Sequence, residues 1–526
     1  MHRRSLLAAA GPALLARPGL AQGTRSRTLR FVPQANLAVL DPILTTAGVS
    51  LNHGYAVFDT LYGSDADFRP VPQMAEGHEV SADGQTWLIR LRPGLRFHDG
   101  EPVRAADCAA SLARWSKRDT FGQTLGAVVE AWESQDDQTL RIRLSRPFPR
   151  LLSALAFVGP IPAFIMPERL ARTDPYRAIP EVVGSGPYRF VPSEFVSGSR
   201  VVYTKFDGYV PRQEPAVLNA GGKVAHFDRL EWQVIPDSST AASALQSGEV
   251  DWWEFADADL ISLLARNRRV TVAPYDPLGF MAFLRFNSHV PPFNNAALKR
   301  VVLSAVDQAQ YMPLITGGDD KAWHTAYSMF PTGLPFVKEA GAATMGAPKD
   351  FDRLRRAVRD AGYAGEKVVI LSPSDLASVA PFGDVTAELL KKLGMNVDLQ
   401  VMDWGSVVQR RTSREAVDKG GWSIFHTTWK SSSIANPALN TNIRGQGDSG
   451  WFGWFRSDVI ERLTREWLEA SSDAEQQRLF DAIQAEAFEQ VPVVPLGQFL
   501  QRTAYRSGLT GILPGPAAFP WNLRRA

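Results

Sequence analysis

The hydrophobic period of this 526-residue chain changes partway along its length, and no other feature limits its architecture as strongly. In the first half, Trp87, Ile89 and Leu91 alternate with polar neighbours between Asp83-Gly84 and Pro93-Gly94. Leu140, Ile142 and Leu144 repeat the pattern after Asp136-Asp137. Alternation with period two between turn residues predicts half-buried strands. Within Ala105 to Lys117, Ala109, Leu112, Ala113 and Ser116 lie at helical spacing, which predicts an amphipathic helix beside that sheet. From about residue 295 helices alternate with strands. Leu298, Val301, Val302 and Ala305 share a helix face, Leu354 to Ala361 precedes Lys367-Val368-Val369-Ile370-Leu371, and Leu389 to Leu393 precedes Val397 to Met402. That order predicts a β–α layered lobe. Two further helices, over about 457–470 and 473–489, precede Val493-Val494-Pro495-Leu496, and the chain is then rich in Pro and Gly to its end. No fixed-period repeat occurs, which argues against a solenoid or propeller.

With 45% hydrophobic residues the chain can bury two or three cores of domain size, roughly 100–200 residues each. Its 57 Lys and Arg against 55 Asp and Glu leave no strongly basic face for nucleic acid or anionic lipid. The first residues carry an export pattern: Arg3-Arg4, the apolar run Leu6 to Leu15, then Gly19-Leu20-Ala21. Residues 1–21 are therefore expected to be a cleaved signal peptide, and Arg3-Arg4-Ser5-Leu6-Leu7 resembles the twin-arginine export motif. Its removal leaves 54 basic against 55 acidic residues. The apolar run is shorter than the ~20 residues that span a bilayer. The one cysteine, Cys108, lies among helix formers and far from the cleavage site, so neither a disulfide framework nor a lipid anchor is expected.

Reaction signatures are sparse. No phosphate-cradling G-x-x-x-x-G-K-[S/T] occurs, and the eight histidines are scattered with no pair at helix spacing, so no cofactor or metal site is expected. Gly447-Asp448-Ser449-Gly450 looks like the nucleophile segment of trypsin-like proteases. Trp451 follows it, however, and no earlier histidine has that family's flanking residues, so it reads as a polar loop. Asp136-Asp137 and Asp319-Asp320 adjoin turns and read as solvated carboxylates.

Several segments, in order and over nearly the whole chain, resemble the family 5 extracellular solute-binding proteins, the dipeptide- and oligopeptide-binding components of ABC importers. They are Leu40-Asp41-Pro42 with Val57 to Leu61, Asp83 to Trp87, Arg92 to Val103 with Ala106-Asp107-Cys108, Val183-Gly184-Ser185-Gly186-Pro187-Tyr188, Ala244 to Asp251, and Phe286-Asn287 through Pro291 to Val301. The resemblance implies an α/β, two-lobed periplasmic-binding-protein fold with a hinge and a ligand cleft between the lobes. Lobe one would comprise 24–277 plus 491–526, with 58–183 as the extra subdomain, and lobe two 278–490. It implies a periplasmic, monomeric, non-enzymatic subunit that captures a peptide or peptide-sized polar solute by lobe closure and delivers it to a membrane permease.

In peptide-binding members a tryptophan is followed shortly by an aspartate that pairs with the peptide's amino group. Here Trp429 is followed by Lys430, Ser431 and Ser432, and no acidic residue lies between Trp429 and Pro437. A buried ammonium without a carboxylate costs several kcal/mol, so the departure bears on the ligand. The ligand-binding candidates are Trp429, Lys430, Ser431 and Ser432, with Arg444 as a carboxylate clamp, Trp404 and Trp454 as aromatic walls, and Thr45 and Thr46 from lobe one. A nickel or metal-chelate carrier is the alternative within the class. A periplasmic peptide chaperone and an exported hydrolase are the alternatives outside it.

Overall fold

The computed structural model describes residues 27–526 apart from 67, 335 and 471; the expected signal peptide at 1–21 lies outside the described residues. Two sheets dominate. Thr28–Val32 organises the first, with Leu29, Phe31 and Val32 buried and parallel neighbours on both sides, Arg229–Gln233 and Trp252–Trp253. Phe31 packs against Trp232 and Trp252 with ring centroids 5.5 and 4.9 Å away. The seven strands run in the order Tyr188–Phe190, Arg200–Lys205, Arg229–Gln233, Thr28–Val32, Trp252–Trp253, Arg502–Arg506, Val270–Pro274.

The second sheet has six strands in the order Trp323–His324, Val493–Phe499, Phe280–Phe286, Ile424–Lys430, Lys367–Pro373, Asn396–Met402. Every residue of Phe280–Phe286 is buried, which explains why this strand reads as one apolar run rather than an alternation. Lys367–Pro373 is parallel to both of its neighbours. A parallel pair needs a crossover, and the helix Pro381–Lys392 supplies one on the way to Asn396–Met402.

A third, antiparallel sheet (Ala75–Val80, Thr86–Leu91, Thr139–Leu144, Val129–Ser134) lies within segment 58–183. Trp87, Ile89 and Leu91 with Leu140, Ile142 and Leu144 form its inner face, against which the helix Ala105–Trp115 turns Leu112 and the buried Cys108. Two segments of the family resemblance meet beside it. His98 donates its backbone N–H to the Gly184 carbonyl at 2.8 Å, and its Nε2 lies 3.0 Å from the Gly186 carbonyl oxygen. A Cβ on Gly184 would stand 2.1 Å from the Val57 carbonyl oxygen, so no larger residue fits that turn.

The chain passes between the two large sheets at Tyr275–Gly279 and again at Leu500-Gln501, and the two crossings touch: Tyr275 donates its backbone N–H to the Gln501 carbonyl at 2.9 Å. Gly279 has φ +69°, and a Cβ there would sit 2.7 Å from the Phe499 carbonyl oxygen. The second crossing corrects the expected end of lobe two at 490. Val493–Phe499 pairs with Phe280–Phe286 and Trp323–His324 in the second sheet, and lobe one resumes only at Arg502–Arg506. Composition shifts where the last long helix ends, at Gln490, but a strand's sheet is decided by its pairing partners.

The segment leading to the lobe interface is anchored by one buried ion pair. Arg114 reaches Asp41 at 2.8 Å with side chains 2% and 0% exposed. Arg114 also donates to the carbonyls of Thr173 (3.0 Å) and Arg177 (2.7 Å), while Asp41 accepts from the backbone N–H of Ile179 (3.0 Å). Removing one member of such a pair costs about 3–5 kcal/mol, because the other charge stays buried. Arg114→Met is expected to lose that much in urea unfolding followed by circular dichroism, and Arg114→Met with Asp41→Leu to recover more than half of it.

Candidate functional site

The strand Ile424–Lys430 ends at the first crossing, with Trp429 opposite Met281 and Lys430 opposite Phe280. Ser431 continues the contact by donating its backbone N–H to the Gly279 carbonyl at 3.0 Å. From the first lobe come Thr45, Thr46 and the N-terminal end of the helix Gly48–Val57. From the second comes the helix Trp404–Arg410, which begins where Asp403 caps the Ser406 N–H at 3.0 Å. These elements enclose a cavity of about 60 Å³ lined by Thr46, Gly48, Trp404, Arg411, Trp429 and Lys430. Thr46 and Pro160 also line a neighbouring cavity of about 440 Å³, which takes Thr45, Arg118 and Thr120 from lobe one and Gln409, Trp451 and Trp454 from lobe two. The larger space falls within the ~300–1,000 Å³ of small-molecule sites.

The polar atoms here are poorly matched. Trp429 Nε1, Lys430 Nζ, Arg411 Nε, Ser431 Oγ and Ser432 Oγ are buried without a hydrogen-bond partner. Each buried unmet donor or acceptor costs about 1–3 kcal/mol, and those of Trp429, Lys430 and Arg411 border the cavity of about 60 Å³ together. Burial lowers the pKa of Lys430 to about 8, against the pull of Glu254 and Asp276. Glu254 is held by Gln34 N (2.8 Å), Gln34 Nε2 (3.0 Å), Asn52 Nδ2 (2.7 Å) and Tyr275 OH (3.1 Å), and burial raises its pKa. Arg411 is 1% exposed and burial lowers its pKa to about 9. Its guanidinium stands 4.8 Å from the Phe452 ring centroid and 5.5 Å from that of Trp404.

The structure brings Thr46, Trp404, Trp429 and Lys430 to one cavity and places Thr45 and Trp454 on its larger neighbour. The other candidates fall elsewhere. Ser431 and Ser432 lie in a short 3₁₀ turn after the strand. Ser432 faces a separate cavity of about 230 Å³ with Phe121, Leu439 and Trp467. Arg444, expected to clamp a ligand carboxylate, already holds one: it pairs with Glu461 at 2.6 Å. From there it bridges the lobes, donating to the Thr120 carbonyl at 3.3 Å and Thr124 Oγ1 at 2.9 Å. Arg411 is the site residue that sequence reasoning missed. Two adjacent arginines at a helix end read as solvated, yet Arg411 follows Trp404 by two turns, on the face that also buries Val407 and Val408.

Gly445-Gln446-Gly447-Asp448-Ser449-Gly450 has the spacing of a dinucleotide-binding loop, but it leads into a 3₁₀ turn at Gly447–Ser449 and not from a strand into a helix. Among the described residues no three His, Cys, Asp or Glu side chains gather into a group able to hold a metal ion. Nor is any helix among them long and apolar enough to cross a membrane.

The lowered pKa of Lys430 has a definite sign. Between about 8 and its ordinary 10.5 the unfolded chain binds more protons at this residue than the folded one, so its contribution to stability rises with pH across that window. Compared with Lys430→Met, the wild type should gain unfolding free energy between about pH 7 and about pH 10 in urea titrations. Parallel curves for the two proteins would contradict the burial of a charged lysine.

The family model for the middle region of the bacterial extracellular solute-binding proteins, family 5, matches residues 69–451. A probable peptide ABC transporter periplasmic-binding protein of Sinorhizobium fredii is 35% identical over 502 residues, covering 95% of this chain and 94% of the relative. A glutathione-binding protein of Pectobacterium atrosepticum is 25% identical over 491 residues, covering 91% and 90%. Among solved structures, the agropinic acid complex of a periplasmic binding protein from A. tumefaciens R10 superposes with a TM-score of 0.79 at 23% identity, covering 95% of this chain and 99% of the other. An ABC transporter-associated periplasmic binding protein of Helicobacter pylori, in complex with a peptide, superposes with a TM-score of 0.77 at 20% identity, covering 96% and 99%. The fold is thus the two-lobed one of periplasmic binding proteins.

Proposed function

The chain belongs to the family 5 bacterial extracellular solute-binding proteins, and from that premise we propose that it is the capture subunit of an ABC importer, binding a peptide or peptide-sized polar solute in the periplasm. The observation that carries this reading is the pair of adjoining cavities walled by both lobes, about 440 and 60 Å³, the smaller rimmed by unmatched polar atoms of Trp429, Lys430 and Arg411. A ligand touching both walls favours the closed form by its differential affinity for it, and membrane permease subunits would read that closure. The family and these relatives are binding proteins of transport, and capture by closure calls for no catalytic step. The names of the relatives, peptide-binding and glutathione-binding over nine-tenths of their lengths, favour peptides over chelates as cargo. Export through the signal peptide at residues 1–21, by the twin-arginine route, and action as a monomer complete the reading.

Thermal unfolding against di- to pentapeptides, amino acids, sugars, polyamines and organic anions tests it. A ligand at 100 times its Kd adds about 2.7 kcal/mol to the native state, which moves the midpoint by a few degrees in a chain of this size. Trp429→Ala should weaken the best ligand about tenfold or more in calorimetric titration, by removing a wall and its unmatched N–H. If the panel is silent while the protein prevents aggregation of unfolded clients, the chaperone reading takes its place.

A further inference from the structure

The charge of the captured compound is written in the arginines. Three buried arginines among the described residues have strong acceptors: Arg114 pairs with Asp41 at 2.8 Å and Arg444 with Glu461 at 2.6 Å, while Arg285 donates to the carbonyls of Asn442 (2.6 Å) and Phe452 (2.8 Å). Arg411 differs. Its protein acceptors are the Thr45 and Thr46 hydroxyls, each at 3.4 Å from Nη2, its Nε has none, and no carboxylate among the described residues lies within ion-pair distance. The elements packed on it bring no charge, since the rings around the guanidinium are Trp404, Phe425, Trp451 and Phe452. Cation–π contacts offset only part of the cost of burying that cation.

A second feature points at the same cavity. Gly48 opens the helix Gly48–Val57 on the cavity wall, and Ala47 at its N-cap has no side chain to cap the first turn. A helix N-terminus favours an anion through its N–H groups and its dipole. Of the acids nearby, Asp119 and Asp448 line the larger neighbouring cavity, where Asp119 caps the Gly122 N–H at 2.8 Å and Asp448 pairs with Arg414 at 2.9 Å, while Glu254 and Asp276 line neither cavity. With no acidic residue between Trp429 and Pro437, a ligand ammonium would find no partner there.

We propose that Arg411, the Thr45 and Thr46 hydroxyls and the N-terminal end of Gly48–Val57 form a carboxylate subsite, so that the cargo is an anion whose amino end is not read by an acid. The guanidinium presents a planar fork that a carboxylate can match with two N–H···O bonds. The inference rests on the capture reading above and names the chemistry that the captured compound carries.

The test uses the protein without its leader and tripeptide libraries of Gly, Ala and Phe in four forms, with the N-terminus free or acetylated and the C-terminus free or amidated, beside acetate, succinate and citrate. Calorimetry and thermal unfolding are run on wild type, Arg411→Met and Arg411→Lys. Amidation should weaken binding about tenfold or more and acetylation less than about threefold. Arg411→Met should lose this discrimination while melting no lower than wild type, since it removes an unpaired buried charge, and Arg411→Lys should keep only part of it. Binding of simple carboxylates alone supports the subsite and removes peptides as cargo. Amidated forms that bind as tightly as free acids, discrimination that survives in Arg411→Met, or response only to neutral or cationic compounds overturn the subsite and leave capture standing. Silence toward these and the wider panel overturns both.

Discussion

Tyr275 donates its backbone N–H to the Gln501 carbonyl, and through that contact the two passages of chain between the large sheets lie side by side. Two adjacent connecting segments, the first a turn closed by the Gly279 N–H on the Asp276 carbonyl at 3.0 Å, can change φ and ψ together while each sheet stays intact, which is the geometry of a hinge. Their position also decides where a site can form. Phe280–Phe286 starts from one crossing and Val493–Phe499 ends at the other, so the end of the neighbouring strand, Trp429-Lys430, is held next to the pivot. A ligand bound there touches both lobes near the axis, where closure alters its surroundings without carrying it far.

The lobes meet outside the cavity through contacts that are individually modest. Arg444 donates across to Thr120 and Thr124, Thr120 and Thr441 hydroxyls lie 3.1 Å apart, Gln123 donates to the Ser449 carbonyl at 2.8 Å, and Arg146 pairs with Glu469 near the surface. Exposed pairs of the last kind are worth about 0–1 kcal/mol. Arg444 contributes more by position than by charge, because Glu461 neutralises it within its own lobe and leaves its remaining N–H groups to bond across the gap. Such a rim orients the closed form without supplying so much energy that ligand becomes irrelevant, and a small differential affinity then sets the population of closed molecules.

Much of the framework was legible in the sequence because it is written in local periodicity. Trp87, Ile89 and Leu91 alternate since one face of their sheet meets the helix Ala105–Trp115, and Val368 to Leu371 is apolar throughout since helices and strands cover it. The family segments were legible for a different reason: His98 and Gly184 are held by mutual backbone contacts that tolerate few replacements. What stayed hidden depends on pairing across long separations. Nothing local says that Val493–Phe499 joins the second sheet, that Glu461 lies where it neutralises Arg444, or that Arg411 turns inward under Phe452. Trp404, Trp429 and Thr46 were readable as candidates from aromatic and family position; the charge they surround was not.

The lysine directly after Trp429 and the serine where peptide-binding members carry an acid form one electrostatic pattern. Lys430 brings a cation from lobe two toward Glu254 and Asp276 on the lobe-one side of the hinge, so closure itself sets positive against negative charge near the pivot. A ligand ammonium is not needed for that balance, and with no acid at Ser432 it would have no balance of its own. Arg411 leaves the opposite requirement on another part of the wall, a buried cation whose neighbours are rings and hydroxyls. Lys430 thus feels the pull of two acids although its Nζ makes no hydrogen bond, whereas burial of Arg411 is offset by no acid. Under the proposed carboxylate subsite, that asymmetry would orient an anion between the lobes.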